Sequence, residues 1–306
     1  MNRAHSHTAE ASSEAGFSLI EALIAVTMMM LLVSAAMNGL NQTAKFTRVV
    51  GNRTEMHGSV RSATELMQQE IGQAGRIALP GAITLAAAVN KGANAVALST
   101  STGLFVGANI VVGTNDQTET VAITALNGNS ITANWTIDHL AAEPVQVFGG
   151  FGTGVVPPTL ANGSTGFVLK IYGDINDDGN MLYIEYSCDI NAGVLYRNVM
   201  AWNAGAKPPN TAAMVILNNV IANPNNGACF TYQTEFVNPN TYVTGVAVTL
   251  SVRSQQLDVF SKQYQQATKT LLNVSPRNIF LVWSMVSIGI TNRLQPIPPT
   301  ITALLP

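Results

Sequence analysis

The sequence predicts an α+β protein with one long N-terminal helix and a β-rich remainder. Residues 17–37 are apolar apart from a single charge and contain no proline, and their Leu, Ala and Met favour helix. Apolar residues then recur at spacings of three, four or seven up to residue 74, which is the pattern of an amphipathic helix. After Pro80-Gly81, short runs rich in Val, Ile, Thr and Tyr between Gly and Asn turns predict strands.

The composition excludes one function class. The chain has 306 residues, enough for one large domain or two small ones with a real core. It carries 15 Lys and Arg against 17 Asp and Glu, so a general nucleic-acid binder is excluded, because no basic excess exists to replace counterions on phosphates. Charged residues make up only 10% of the chain, against roughly 25% in ordinary soluble domains. Such a surface suits packing against other molecules.

The apolar N-terminal run is a membrane-helix candidate. No charged side chain occurs from Ala22 to Ala44, and about 20 apolar residues in a helix span the hydrocarbon core of a bilayer. Glu21 lies inside the run, and a lone carboxylate in lipid is costly unless it meets a partner. We therefore expect Glu21 to have both a partner and a function.

The start of this run resembles the type IV prepilin signal. The signal is a glycine followed by a phenylalanine that opens an apolar helix, and the fifth residue counted from the phenylalanine is glutamate. In this sequence the three positions are occupied by Gly16, Phe17 and Glu21. A secretory signal peptide would instead carry its cleavage site after the apolar region. Further segments resemble PilW-like minor pilins in the same order along the chain: MQQEIGQAGRIALPG, YGDINDDGNMLYIEYS, GVLYRN, ACFTYQ and VSPRNIF. The resemblance covers most of the chain outside residues 82–150.

The resemblance implies a processing site and an assembly contact. A prepilin peptidase would cut between Gly16 and Phe17 and methylate the new Phe17 amine. Glu21 would then face the Phe17 amine of a neighbouring subunit, and this charge pair would set the axial register. The leader is less basic than is usual for the family, since it carries Glu10 and Glu14. The alternative is a plain signal anchor with an accidental glutamate.

The sequence and the resemblance together predict a pilin-like organisation. Residues 1–16 are the cleaved leader, and residues 17–81 are the helix, first membrane-spanning and then amphipathic, packed on a β-rich head. Residues 82–150 form an inserted small all-β module, and residues 151–306 form the head. Within the module, Asn127-Gly128 is a strong hairpin signal. Near the end, the apolar run IFLVWSMVSIGI is too short to span a bilayer and is either a buried strand or part of a helical packing surface.

Cys188 and Cys229 are the only cysteines, and no CxxC or Cys/His cluster accompanies them, which argues against zinc. They form either one disulfide or two buried thiols. Export from the cytoplasm, as the N-terminus implies, favours the disulfide.

One segment matches a calcium-loop pattern. Asp174, Asn176 and Asp178 precede a glycine, with Glu185 further along. A strand pattern follows, so Glu185 would lie about 17 Å from Asn180 and could not reach the same ion. A partial calcium site made by the first three residues and a backbone carbonyl is one interpretation. A hairpin turn, which uses the same residue types, is the other.

No enzyme motif is present, since the sequence lacks G-x-S-x-G, H-E-x-x-H and a Walker loop. His57 is expected to be solvated, and His139 is expected to cap or line a turn. We therefore predict that the chain is not an enzyme and has no cofactor other than the candidate calcium ion.

The function that this combination predicts is structural: a minor pilin that initiates or caps type IV pilus assembly within a tip complex. The implied partners are other major and minor pilins, the prepilin peptidase and the inner-membrane assembly machinery, with no nucleic acid. The implied location is the inner membrane, as a single-pass protein with a periplasmic head, and then the pilus at the cell surface, in twitching motility, adhesion or DNA uptake. The alternatives are a pseudopilin of type II secretion and a membrane-anchored extracytoplasmic binding protein or hydrolase.

Overall fold

The computed structural model of the protein describes residues 18–306 and divides the chain into two compact units, 1–52 and 53–306. Helix α1 is Leu19–Gln73, so the predicted long helix is confirmed over the described residues. Its part in the first unit is exposed along almost its whole length. By length and composition α1 can cross a membrane, and it is the one such helix among the described residues.

The part of α1 in the second unit is amphipathic and buries one stripe in the hydrophobic core. Its members follow the spacing that the sequence predicted: Met56, Val60, Ala63, Met67 and Ile71. The helix ends at Gln73, and two residues later Gly75, with a φ of +81° that suits glycine, turns the chain away.

The segment after α1 folds into one antiparallel sheet. Its order is β1-β6-β3-β4-β5-β2, and its members are β1 (Ile83–Thr84), β2 (Gly92–Ala97), β3 (Asn109–Val112), β4 (Glu119–Asn127), β5 (Ser130–Trp135) and β6 (Pro144–Val147). The predicted hairpin joins β4 and β5: Asn127 is the last residue of β4 and pairs with Ser130, and the two residues of the turn are Gly128 and Asn129.

The two ends of this sheet meet. The Ala86 amide donates to the carbonyl of Ala97 at 2.8 Å, and the Ser99 amide donates to the carbonyl of Thr84 at 2.9 Å. The sheet therefore curls into a small barrel. The core of the barrel is continuous with side chains from beyond residue 150, including Phe151, Tyr172, Tyr183, Ile301 and Leu304.

The remaining chain forms two more sheets around the buried stripe of α1. The first has the order β11-β10-β9-β8 and contains β8 (Val168–Gly173), β9 (Leu182–Asp189), β10 (Val194–Ala201) and β11 (Val215–Asn218). In the second, β14 pairs with each of the other three strands, and the strands are β12 (Val220–Ile221), β13 (Phe230–Val237), β14 (Asn240–Leu257) and β15 (Tyr264–Val274).

Short elements complete the head. They are β7 (Gly150–Phe151), which pairs in parallel with β16 (Leu294–Gln295), and the helices α2 (Arg277–Ser287) and α3 (Pro299–Leu304). Helix α2 contains most of the apolar run IFLVWSMVSIGI. Of the two interpretations of that run, a buried strand or a helical packing surface, the helical one is therefore correct. It buries Ile279 and Val282 against the same core.

A disulfide joins the two head sheets. Cys188 on β9 and Cys229 just before β13 are bonded, with their Cα atoms 6.5 Å apart and both residues buried. The predicted disulfide is confirmed.

The end of α1 is held by direct backbone packing. The Gly75 amide donates to the carbonyl of Tyr172 at 2.9 Å, and the Phe151 amide donates to the carbonyl of Gly75 at 2.8 Å. A side chain on Gly154 would place its Cβ 2.1 Å from the Cα of Gly75, where there is no room for an atom. The backbone at Gly75 and the backbone at Gly154 are therefore in direct contact.

We expect Gly154→Ala to lower the free energy of unfolding by about 3 kcal/mol, because the neighbour that must shift is backbone rather than a flexible side chain. Chemical denaturation of the full chain in detergent measures this. Gly72→Ala is the matched control: no atom lies within 4 Å of its Cβ position, so the better helix propensity of alanine should leave stability unchanged or raise it by up to about 1 kcal/mol. Equal effects of the two substitutions would contradict the packing argument.

Candidate functional site

The apolar part of α1 carries one ionisable side chain. Glu21 lies in the first turn of α1, and its carboxylate accepts the Ser18 amide at 3.4 Å. Between Ser18 and Ala44 no other residue can carry a charge. The predicted cleavage residues Gly16 and Phe17 lie outside the described residues. Around Glu21 and beyond it, the large apolar side chains are exposed: Leu19, Ile20, Leu23, Ile24, Val26, Met28, Met29, Met30, Leu31, Leu32, Val33, Met37 and Leu40.

A second carboxylate fixes α1 to the head. Glu70 is buried, 5% exposed, and lies beside the apolar stripe of the helix. Its carboxylate accepts the Tyr186 hydroxyl from β9 and the Arg197 guanidinium from β10, whose Nε lies 3.0 Å from one carboxylate oxygen and 3.2 Å from the other. One helical side chain thus binds two neighbouring strands.

The electrostatics keep this cluster in one charge state. Burial, followed by the charge of Glu70, raises the pKa of the Tyr186 hydroxyl far above its ordinary value. Burial alone would lower the pKa of Arg197, but the hydrogen bond and charge of Glu70 hold it above its ordinary value. The cluster therefore holds an ion pair and a neutral phenol at neutral pH. Sequence analysis missed it, although Glu70 lies three residues after Met67 and four before Ala74, which places it on the buried face.

We expect Glu70→Gln to destabilise the fold by about 3–5 kcal/mol, because the substitution leaves the Arg197 charge partly buried without its partner. Glu65→Gln on the same helix is the control. Glu65 pairs with Arg61 in an exposed i,i+4 bridge, and such pairs contribute less than about 1 kcal/mol. Denaturation of the two variants side by side tests the difference. A double change, Glu70→Leu with Arg197→Met, should recover most of the loss, and failure to recover any of it would contradict the unpaired-charge explanation.

The predicted calcium loop is organised by an arginine. Asp174 is fully buried, and its Oδ1 accepts the Asp178 amide at 3.0 Å. Its Oδ2 faces Nε of Arg76 at 3.6 Å, and Arg76 also pairs with Asp177, while Asn176 is exposed. The segment is therefore a turn between β8 and β9 with a cation from the end of α1 already at its carboxylates.

A calcium ion at this turn would have to compete with Arg76 for Asp174, so the donor set fits the ion poorly. Residues 18–306 contain no group of three or more His, Cys, Asp and Glu side chains arranged to hold a metal. Glu185 lies elsewhere, as expected, and accepts the Tyr183 hydroxyl and Lys207. Calcium binding by Asp174, Asn176 and Asp178 stays a prediction.

A histidine between two carboxylates closes one end of the barrel. His139 is 1% exposed, its Nε2 lies 2.8 Å from Glu119, and its Nδ1 lies 2.5 Å from Glu143. The Thr136 hydroxyl also donates to Glu119, and the ring of Trp135 packs against the imidazole with centroids 5.4 Å apart. His139 lies in the connection between β5 and β6, as does Glu143, whereas Glu119 lies at the start of β4. Neither carboxylate partner was predicted. His57 is exposed.

Both carboxylates of this cluster favour their charged form. Burial alone would raise the pKa of Glu119, but hydrogen bonds from Thr136 and His139 outweigh it and hold the pKa below its ordinary value. For Glu143 burial is likewise outweighed, by the Leu140 amide and by His139. The two ring nitrogens of His139 lie within hydrogen-bond distance of the two carboxylates, so the cluster connects the β4 strand to the segment before β6.

These two lowered pKa values predict acid sensitivity. A carboxylate whose pKa is lower in the folded state stabilises the fold above its unfolded pKa, about 4.3, and loses that contribution as the pH falls through the folded value. We expect thermal stability to fall as the pH is lowered below about 4.5. His139→Gln should be less stable at neutral pH and should lose less on acidification, because each carboxylate has lost one of the groups that lower its pKa. Parallel pH curves for the two proteins would contradict this assignment.

Comparison of the chain with protein-family models, with curated proteins and with solved structures finds no match. The functional assignment therefore rests on the residues and geometry described above.

Proposed function

We propose that the protein is a structural subunit of the type IV pilus, a minor pilin that initiates or caps pilus assembly in a tip complex. The observation that carries the proposal is the division of α1. One part is apolar on all sides and exposed, with a single carboxylate, and the other part is buried in a β-rich head. The exposed apolar part suits a helical segment that first crosses a membrane and then packs among the same segments of neighbouring subunits.

The carboxylate of Glu21 supplies the assembly contact in this proposal. In an apolar environment an unpaired carboxylate is costly, and an ammonium group at hydrogen-bond distance offsets that cost. The N-terminus of a neighbouring subunit, cut after Gly16, would present such an ammonium on Phe17. Since only one stagger of two helices brings the charges together, the pair would also fix the register.

The head supports the same role. Glu70 and the close packing at Gly75 attach α1 to the sheets, so that a load on the helix is carried into the head. The disulfide fits a compartment outside the cytoplasm. The energy for assembly would come from a membrane motor. The partners in this proposal are other pilins, the prepilin peptidase and the inner-membrane machinery.

Mass determination of the mature N-terminus tests the proposal directly. We expect the purified protein to begin at Phe17 with a methylated amine. An intact Met1, or an unmodified amine upstream of Gly16, would overturn it in favour of a simple membrane anchor.

The assembly contact has its own test. We expect Glu21→Ala to leave cleavage unchanged and to reduce recovery of the protein in sheared filaments by more than about tenfold, the factor that corresponds to 1.4 kcal/mol. Glu55→Ala, which removes an exposed carboxylate from the same helix beyond its apolar part, should assemble normally. Normal assembly of Glu21→Ala would contradict the charge-pair mechanism.

A further inference from the structure

A pocket of about 400 Å³ lies where the barrel meets the head. Its wall is made by residues at the start of β3, residues after β7, the first residues of β14 and the segment that begins with β16. All of these segments belong to the same compact unit, residues 53–306. The volume lies within the range of ordinary small-ligand sites, about 300–1,000 Å³.

Much of the wall is apolar or bare backbone, and it comprises Gly107, Gly152, Leu160, Leu294, Pro296 and Ile297. Leu160 and Pro296 are also exposed to solvent, so the pocket opens to the outside. None of the described residues that line it is Asp, Glu, Lys, Arg or His. An ion that entered would lose its hydration without gaining a counter-charge, so the pocket favours an uncharged ligand.

Three of the polar side chains in the wall are committed to contacts within the fold. Oε1 of Gln295 accepts the backbone amide of Asn109 at 2.9 Å, and its Nε2 donates to the carbonyl of Asn109 at 2.8 Å. The side-chain amide of Asn109 donates to the carbonyl of Leu294 at 2.8 Å. The hydroxyls of Thr153 and Tyr172 lie 2.6 Å apart. These contacts hold the wall together and leave little for a ligand.

Tyr242 is the exception in this wall. The residue is fully buried, and its hydroxyl has no hydrogen-bond partner among the described residues. Burial raises the pKa of the Tyr242 hydroxyl, and the side chain of Asn240, which also lines the pocket, opposes that rise without completing a hydrogen bond. Buried polar groups in native proteins are nearly always hydrogen-bonded, so this hydroxyl points to a partner from outside the chain.

The ring of Tyr242 is held in place. A Cβ on Gly152 would lie 2.5 Å from Cε1 of Tyr242 and 3.0 Å from Cδ1 of Leu294, so both side chains pack on the bare backbone of Gly152. The backbone of Tyr242 pairs with Glu235 of β13. A hydroxyl fixed in this way loses little conformational entropy when a ligand binds.

We propose that the pocket binds an uncharged aliphatic amide, whose amide group pairs with the Tyr242 hydroxyl and the Asn240 carboxamide. The aliphatic body lies against the apolar wall. An amide presents a donor and an acceptor side by side, and a phenol and a carboxamide can each serve as either. This role goes beyond the proposed pilin function and does not depend on it, because the site lies wholly within residues 53–306.

The ligand test uses the full chain in detergent and N-acetyl-leucine amide as the probe. N-acetyl-leucine is the matched control, because it has the same body but carries a carboxylate at neutral pH. Binding is followed by saturation-transfer difference NMR, after subtraction of the signal from detergent micelles alone. We expect saturable binding of the amide in the millimolar range, as is usual for about a dozen heavy atoms, and at least about tenfold weaker binding of the acid. Absence of saturable binding, or equal binding of the two probes, would overturn the proposal.

The hydroxyl has its own test. We expect Tyr242→Phe to weaken binding of the amide by about three- to tenfold, whereas the melting temperature of the unliganded protein stays the same or rises, because no internal hydrogen bond is lost. Tyr186→Phe is the matched control. Its buried hydroxyl bonds Glu70, so this variant should melt at a lower temperature and bind the amide normally. A Tyr242→Phe protein that melts lower and binds normally would show that the hydroxyl is structural, and would overturn the proposal.

A blocking variant keeps the test decisive if Tyr242→Phe does not fold. Leu160→Trp, in an exposed turn, should reduce binding at least about tenfold by filling the pocket, whereas Leu140→Trp, at an exposed leucine outside it, should not. Unchanged binding by Leu160→Trp would overturn the proposal.

A longer probe, N-acetyl-alanyl-leucyl-alanine amide, distinguishes two sources of the same chemistry. Binding at least as tight as that of the single amino-acid amide assigns the site to a polypeptide, and weaker binding assigns it to a free small amide. None of these results bears on N-terminal processing, so this inference and the pilin proposal fail separately.

Discussion

The structure depends on one helix that must suit two surroundings. From residue 19 to the mid-forties α1 presents apolar side chains on all sides, whereas from Met56 onward it buries a single stripe against sheets. Glu70 fixes the second part of the helix to the head, because its carboxylate is bonded to two strands there. A load or displacement applied to the helix is therefore passed to the sheets through a desolvated ion pair rather than through a flexible joint.

Several of the charged side chains make connections inside the fold. Glu70, Glu119, Lys170 and Glu185 are all buried or nearly so, and each has a partner. Lys170 donates to the carbonyl of Leu305 and so holds the C-terminal segment against β8. Burying charge in this way costs desolvation, which good hydrogen-bond geometry offsets.

Features set by local sequence could be predicted, and features set by distant partners could not. The presence of one long N-terminal helix followed from apolar periodicity, and the β4–β5 hairpin followed from Asn127-Gly128, because each signal lies within a few residues. The twelve-residue run that became α2 was ambiguous, since an apolar run of that length suits a strand as well as a helix. The partners of Glu70 are more than a hundred residues away, and Glu119 reaches His139 only because β4 and β5 pair in one sheet.

The continuity between the barrel interior and the head has a consequence for folding. Phe151, Tyr172 and Tyr183 lie in the same apolar cluster as the barrel strands, so loss of the barrel would expose these three aromatic rings to water. The barrel and the strands beyond residue 150 therefore share one core, and neither buries its apolar side chains without the other.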